Sequence, residues 1–482
     1  MKLVTSKTSN KELDLSHSFI HSINELDEEL HSHFSNALSS GDKINRKLVS
    51  FQANKNRSAY RWFKFKEAFS ADLVELMLRE YSVPKGKILD PFAGAGTALF
   101  AASDLGYESD GIELLPVGQK IIEAREFGQL NLEKATILEE LKKWKDCKPW
   151  KHVTLSNKIN TLRITEGAYS EKTIIEIEKY IALLESANLS AAILLKFVLL
   201  CVLESISYTR KDGQYLRWDY RSSKENSKKT FNKGRILSFD EAISKKLEEV
   251  IMDIEHPKGK TLSLFKERVP EKGRINLIKG SCLDILPKLK HREYNAIITS
   301  PPYCNRYDYT RTYALELALL GVSEQELMDF RQSMISCTVE NRAKELIKIN
   351  KNWSKAISIV DDLTLLQTIL DYLEFQKQLK NLNNNGIPRM VRGYFYEMAC
   401  VIQECYRVLE ENSFLFMVND NVRYAGIPIH VDLLLSKIAE SIGFKIENIL
   451  VLPQAKGNSS QQMGVHGRFA LRKCVYVWRK TI

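Results

Sequence analysis

The segment Asp90-Pro91-Phe92-Ala93-Gly94-Ala95-Gly96-Thr97 constrains the fold of this chain more than any other stretch. It follows a short run, Lys87 to Leu89, that predicts a strand, and it leads into the apolar pattern of a helix from about Thr97 to Leu105. A backbone that turns from strand to helix beneath a bulky ligand needs residues without a Cβ, and Gly94 and Gly96 stand at that turn. The helix N-terminus leaves backbone N–H groups free there. A second predicted strand ends at Gly111-Ile112-Glu113, with a helix from Pro116 onward. An acid at that strand end can accept hydrogen bonds from ribose hydroxyls. Strand, glycine loop, helix, strand, acid is the opening of a doubly wound α/β sheet. The string is not G-x-G-x-x-G, which speaks against a dinucleotide. An ordinary glycine turn beside a solvated carboxylate remains open at this point.

A second signal follows the apolar strand run Ala296-Ile297-Ile298: Thr299-Ser300-Pro301-Pro302-Tyr303. Two prolines fix φ and remove two donors, leaving rigid carbonyls aimed at whatever binds there. The Ser300 hydroxyl and the Pro301 carbonyl can accept amino protons while Tyr303 stacks on a flat ring. Alone, the same residues fit a strand-ending turn with a partly buried tyrosine.

Taken together, the two signals resemble the amino-group DNA methyltransferases, which methylate N4 of cytosine or N6 of adenine. The resemblance covers 57–135, 274–320 and 393–482. It implies a Rossmann-like α/β S-adenosylmethionine-dependent methyltransferase sheet with helical insertions, S-adenosylmethionine as cofactor and DNA as partner. Asp90, Phe92, Gly94, Gly96, Thr97 and Glu113 would hold the cofactor, and Ser300, Pro301, Pro302 and Tyr303 would carry the catalysis. The run Leu277-Ile278-Lys279-Gly280-Ser281-Cys282-Leu283-Asp284 resembles the family's third motif, which assigns Asp284 to the cofactor adenine. Tyr60-Arg61-Trp62-Phe63-Lys64-Phe65-Lys66 resembles its cofactor-side N-terminal motif.

TSPPY in place of DPPY or NPPY points towards cytosine N4. Adenine N6, or a base in RNA, is the alternative on the same fold. An alternative of another class is a catalytically silent scaffold that binds nucleic acid, although a scaffold has no chemical need for the glycine loop, Glu113, Asp284 and SPPY. Two features depart from the family pattern: a helical insertion ahead of the Asp284 motif, and a sequence that ends without a separate C-terminal recognition domain. C5-cytosine methyltransferases place a nucleophilic cysteine straight after a proline. Here Tyr303 intervenes, so Cys304 reads as a buried thiol.

The pattern divides the chain into six parts. Residues 1–56 form a polar, helix-prone extension with loop signals at Ser39-Ser40-Gly41-Asp42, and 57–135 the cofactor half of the core. Residues 136–273 are a helical insertion and candidate DNA-recognition region, with apolar faces at Ile174–Leu184 and Ala191–Ile206; so long a stretch cannot be a simple loop. The catalytic half, 274–320, is followed by a second helical insertion, 321–392. The last part, 393–482, carries a helix near Tyr394–Leu409, a strand at Phe414–Val418, a helix at Ile429–Ile442, and strands near Ile446–Leu452 and Cys474–Trp478.

A formal charge of +10 favours a polyanionic partner. The stretch Arg210 to Arg235 holds nine Lys/Arg against three Asp/Glu with aromatics between, which suits phosphate contact and stacking, though a solvated loop fits equally. Candidate nucleic-acid contacts are Arg210, Lys211, Arg217, Trp218 and Arg221, with Arg306 and Arg311 just beyond the catalytic loop. The polar run Gly457 to Gln462, with Gly464 and Gly467 behind it, is a candidate cover for the pocket mouth; a plain surface turn fits it at least as well, and His466 reads as structural. Eight scattered cysteines without a C-x-x-C pair suggest neither a metal site nor disulfides. The polar N-terminus lacks a signal-peptide core, and no apolar run is long enough to span a bilayer, so the expected location is the cytoplasm, without membrane contact. The resemblance leaves room for a separate restriction endonuclease or a defence-system subunit as partner, with the oligomeric state open.

Overall fold

The computed structural model describes residues 10–41, 44–130, 134–154, 156–212, 215–224, 231–256, 271–453 and 471–481. Its strands are β1 (Leu38–Ser40), β2 (Lys87–Asp90), β3 (Glu108–Glu113), β4 (Thr209–Asp212), β5 (Tyr215–Trp218), β6 (Ile275–Lys279), β7 (Tyr294–Thr299), β8 (Leu409–Asp420), β9 (Val422–Tyr424), β10 (Ile427–Ile429), β11 (Phe444–Val451) and β12 (Lys473–Lys480). Eight of them form one sheet in the order β1-β11-β12-β8-β7-β2-β3-β6. β6, β3, β2, β7 and β8 run parallel, and β12 is antiparallel to both of its neighbours. Helices cover both faces of the parallel part. β7 is accordingly buried almost throughout, and its apolar run does not alternate.

The topology explains why two motifs far apart in sequence meet. From β2 the chain moves outward to β3 and β6, then returns to β7 on the other side of β2. The strand order reverses between β2 and β7, and a doubly wound sheet opens a crevice at the carboxyl ends of such a pair. Asp90 ends β2 and Thr299 ends β7.

The first helical insertion contains helices Lys134–Cys147, Glu171–Ser186, Ala192–Ile206 and Phe239–Glu255, together with the β4–β5 hairpin, which helical periodicity conceals. Helix Ala192–Ile206 is apolar nearly all round because it is an interior helix, with Leu194, Leu195 and Val198 fully buried. Truncating one of these leucines to alanine costs about 2–5 kcal/mol. The helices share one buried cluster with Trp62, Phe65, Val117 and Ile121, so they pack directly behind the cofactor-side motifs. Asp253 is the pin. Its buried carboxylate accepts from Ala59 N (3.1 Å), Trp62 Nε1 (2.9 Å), Arg61 Nη2 (2.6 Å) and Ser58 Oγ (3.2 Å).

Two expectations change. The loop signals at Ser39-Ser40 fall instead within β1, which pairs in parallel with β11 through Leu38–Ile449 and Ser40–Val451. Three residues are too few to show alternation, and only the distant partner strand supplies the hydrogen bonds. The expected helix at Tyr394–Leu409 begins earlier, at Ile387, because Pro388 sits in the first turn where no intrahelical donor is required. Among the described residues no helix is long and apolar enough to cross a membrane.

Candidate active site

Asp90 is buried at the end of β2. Its Oδ1 accepts from Phe92 N (3.0 Å) and from Thr299 Oγ1 (2.6 Å), tying the glycine loop to the start of the proline loop across the switch point. Burial pushes this carboxyl up to about 7, against the lowering influence of those two donors. Gly94 and Gly96 both adopt left-handed backbone, at φ +52° and +73°. Gly96 caps helix Thr97–Asp104 with no side-chain hydrogen bond, which leaves the first-turn N–H groups available. Glu113 ends β3, and its carboxylate accepts from Gly94 N (2.7 Å) and Leu115 N (2.6 Å). Burial pushes it up to about 8, opposed by the N–H groups of Leu115 and Gly94, which favour the anion.

Three residues that sequence reasoning missed hold this half together. Gly118 lies in helix Pro116–Leu130, where a Cβ would come within 2.6 Å of the Gly94 carbonyl oxygen and 2.8 Å of the Glu113 carboxyl carbon. An unexplained glycine inside a helical pattern was its only signal. Arg125 is fully buried between the rings of Tyr60 and Phe100, each 4.1 Å from its guanidinium, and donates to the Ala95 carbonyl at 2.7 Å; burial lowers it to about 10. Glu67 accepts from the hydroxyls of both Tyr307 and Tyr313, which joins the aromatic-basic run to the segment after the proline loop.

On the other side, the Ser300 hydroxyl donates to the Val418 carbonyl at 3.2 Å and lies 3.1 Å from the Tyr303 hydroxyl. With its proton committed to Val418, the oxygen lone pairs are left to accept. Pro302 and Tyr303 line the cavity, whereas the Pro301 ring is buried behind it. Tyr303 is held from below by Lys473, which donates to its hydroxyl at 3.2 Å and pairs with Asp420 at 3.4 Å. No local sequence signal marks those two. Cys304 is buried, and burial pushes its thiol far up, which makes it inert as a nucleophile.

Both loops wall one cavity of about 1120 Å³, lined by Asp90, Phe92, Gly94, Thr97, Glu113, Ser300 and Tyr303 among others. Asp284 does not belong to it. The exposed Asp284 side chain is on the short helix Cys282–Ile285, and the wall here is Gly280, Ser281 and Cys282 instead. Two positions along a helix rotate a side chain by about 200°, so an acid at 284 turns away when 282 faces inward.

The nucleic-acid candidates separate in the same way. Arg217, Trp218 and Arg306 line the cavity mouth; Arg217 stacks on Phe231 at 4.0 Å and pairs with Asp212 at 3.5 Å. Arg210 is exposed on β4, outside the cavity wall, and Arg311 pairs with Glu340 and Asp308. Lys211 is corrected: alternation along β4 turns it inward, where its ammonium meets the buried Glu316 and lies 4.5 Å from the centre of the Tyr313 ring. Arg221 is spent on Asp219, in a two-pronged pair at 2.7 and 2.9 Å, and on the Gly234 carbonyl. The run Gly457 to Gln462, Gly464, His466 and Gly467 lies outside the described residues.

A parallel sheet with one antiparallel strand inserted near its edge, a glycine loop after β2 and an acid after β3 define the class: an S-adenosylmethionine-dependent methyltransferase fold. A family model described as DNA methylase matches residues 2–123. The chain is 54% identical over 476 residues, 98% of its length and 97% of the relative's, to the type II methyltransferase M.AvaI of Nostoc sp., and equally to that of Anabaena variabilis. It is 41% identical over 466 residues, 91% of its length and 89% of the relative's, to the type II methyltransferase M.BsoBI of Geobacillus stearothermophilus. The chain belongs to the amino-group DNA methyltransferase family, S-adenosylmethionine-dependent enzymes that methylate an exocyclic amino nitrogen of a base in DNA.

Proposed function

We propose that this enzyme is a site-specific DNA methyltransferase that acts on N4 of a flipped cytosine. The observation that carries the reading is the serine at position 300, a neutral acceptor whose own proton is committed to Val418. It faces the same cavity as the glycine loop and Glu113. S-adenosylmethionine, when bound, supplies the electrophilic methyl group. Its fit rests on the left-handed turn at Gly94 and Gly96, of which Gly94 lines the cavity while Gly96 packs against Ile122 and Phe100 behind it, and on Glu113 as the acceptor for the ribose hydroxyls.

The target base leaves the duplex because its amino group cannot reach a catalytic pocket from within the stack. Ser300 Oγ and the Pro301 carbonyl accept the two amino protons, and Tyr303 stacks on the ring. Bound S-adenosylmethionine would supply its methyl group directly to the amino nitrogen so presented, and the surplus amino proton would pass to solvent. Alignment and preorganised acceptors supply the rate, without a strong base or a covalent enzyme intermediate. Arg217, Trp218 and Arg306 meet DNA at the mouth. The relatives bear the name of type II methyltransferases, which supports a role for this enzyme beside a separate restriction endonuclease.

The test is incubation of the protein with DNA and methyl-labelled S-adenosylmethionine, followed by nucleoside analysis. Label in N4-methylcytosine is the expected result, and label in N6-methyladenine overturns the base. Replacing Ser300 and Pro301 by alanine abolishes transfer and spares cofactor binding; full activity in that variant sinks the assignment.

A further inference from the structure

Beside Ser300 the cavity wall carries a cation and an anion that the reaction above does not use. Lys473 opens β12, Asp420 closes β8, and the antiparallel register sets them directly opposite each other. Lys473 Nζ lies 3.4 Å from Asp420 Oδ1 and donates to the Tyr303 hydroxyl at 3.2 Å, which in turn is 3.1 Å from Ser300 Oγ. Both side chains line the cavity, with 19% and 15% of their area exposed. Asp420 Oδ1 has no hydrogen-bond partner among the described residues and meets Lys473 through charge alone. An ammonium has three donors. Tyr303 engages one of them, Asp420 lies beside the charge at 3.4 Å without a hydrogen bond, and the others are left for whatever enters beside Ser300. A half-buried ion pair is weak support for a fold, since desolvation offsets much of its attraction. Its place in the wall suits recognition better.

We propose that the Lys473 ammonium, oriented by Asp420 and Tyr303, reads the target base by donating to the ring acceptor next to the amino group, N3 of cytosine, with O2 alongside. This rests on the cytosine-N4 reading. Going along that edge from the amino group, cytosine offers two acceptors in succession, whereas adenine offers N1 and then a C2–H. The path from Ser300 Oγ through the Tyr303 hydroxyl to Lys473 spans two hydrogen bonds, the reach of a pyrimidine's pairing edge. A rotatable ammonium serves both cytosine acceptors, and a site built to bond a substrate group rejects bases that lack it.

The test is a thermodynamic cycle. The methylated site is first mapped with the wild-type enzyme, and single-turnover rates are then measured on that duplex with cytosine or 3-deazacytosine at the target. Wild type is expected to lose roughly 10- to 100-fold on 3-deazacytosine, the effect of one charge-assisted hydrogen bond. Lys473→Met is expected to lose a similar factor on cytosine and little more on the analogue, with S-adenosylmethionine affinity unchanged as the control for folding. Equal sensitivity of wild type and Lys473→Met to the analogue overturns the proposal and leaves the cytosine reading intact. N6-methyladenine as the wild-type product overturns both. If Lys473→Met fails to bind cofactor, Asp420→Asn decides: it frees Lys473 to wander and should weaken the coupling, and unchanged coupling refutes the role.

Discussion

Gly118→Ala inverts an ordinary expectation about helices. In an exposed helix interior, alanine for glycine stabilises by up to about 1 kcal/mol. Here the new methyl group would lie 2.6 Å from the Gly94 carbonyl oxygen and 2.8 Å from the Glu113 carboxyl carbon, so either the glycine loop or the acid must move. Overpacking of this kind costs about 1–3 kcal/mol. The displacement also stretches the 2.7 Å bond from Gly94 N to Glu113, and a hydrogen bond to a carboxyl still neutral near pH 7 is worth about 0.5–1.5 kcal/mol. The two costs overlap, because relieving the clash is what breaks the bond. The net expectation is a fold weakened by about 1–2 kcal/mol, with S-adenosylmethionine binding weakened by about 1–3 kcal/mol, or 5- to 150-fold in Kd. Chemical denaturation reads the first and isothermal titration the second, with no DNA present. A Gly118→Ala protein that gains the usual helix increment and binds the cofactor normally refutes the account of how this half of the site is built.

Four other outcomes follow from the same geometry. Asp90 keeps its proton to about 7 in the fold, against an ordinary 3.8, so the folded state binds more protons between those values and its contribution to stability falls as pH rises through that window. Asp90→Asn keeps an acceptor for Thr299 and Phe92, and its denaturation midpoint should lack that part of the slope between pH 4 and 7.5; identical slopes count against a buried, proton-holding Asp90. Glu113, held up to about 8, must ionise to accept two hydroxyl donors, so cofactor affinity should rise as pH passes through about 8, with proton release seen by calorimetry in buffers of different ionisation enthalpy; Glu113→Gln should flatten the profile. Lys211→Met strands the buried Glu316 and should destabilise by about 3–5 kcal/mol while leaving the salt dependence of DNA binding alone, whereas Arg217→Ala should lower that slope by about one if the side chain meets a phosphate.

What the sequence determined was local. A glycine pair between strand and helix, an acid at the next strand end and a double proline after an apolar strand each state their chemistry within a few residues. The apolar run of β7 marks a buried strand, whereas β3, with Ile112 as its one large apolar residue, is placed by the glycine loop and helix before it. Three-residue β1 and the β4–β5 hairpin stayed hidden, since neither is long enough to impose a period against its helical surroundings. The tertiary structure alone decided which side chains face one another. The antiparallel register of β12 on β8 brings Lys473 and Asp420 beneath Tyr303, across a long stretch of chain. About half a turn of helix takes Asp284 out of the wall and leaves Ser281 and Cys282 in it. Strand alternation sinks Lys211 onto Glu316 while its neighbour Arg210 stays in solvent. Sequence carries the donors and acceptors, but whether a charge ends up in a cavity, in a core or in water depends on the phase of its own element and on the partner packed against it, and that partner is chosen by the fold.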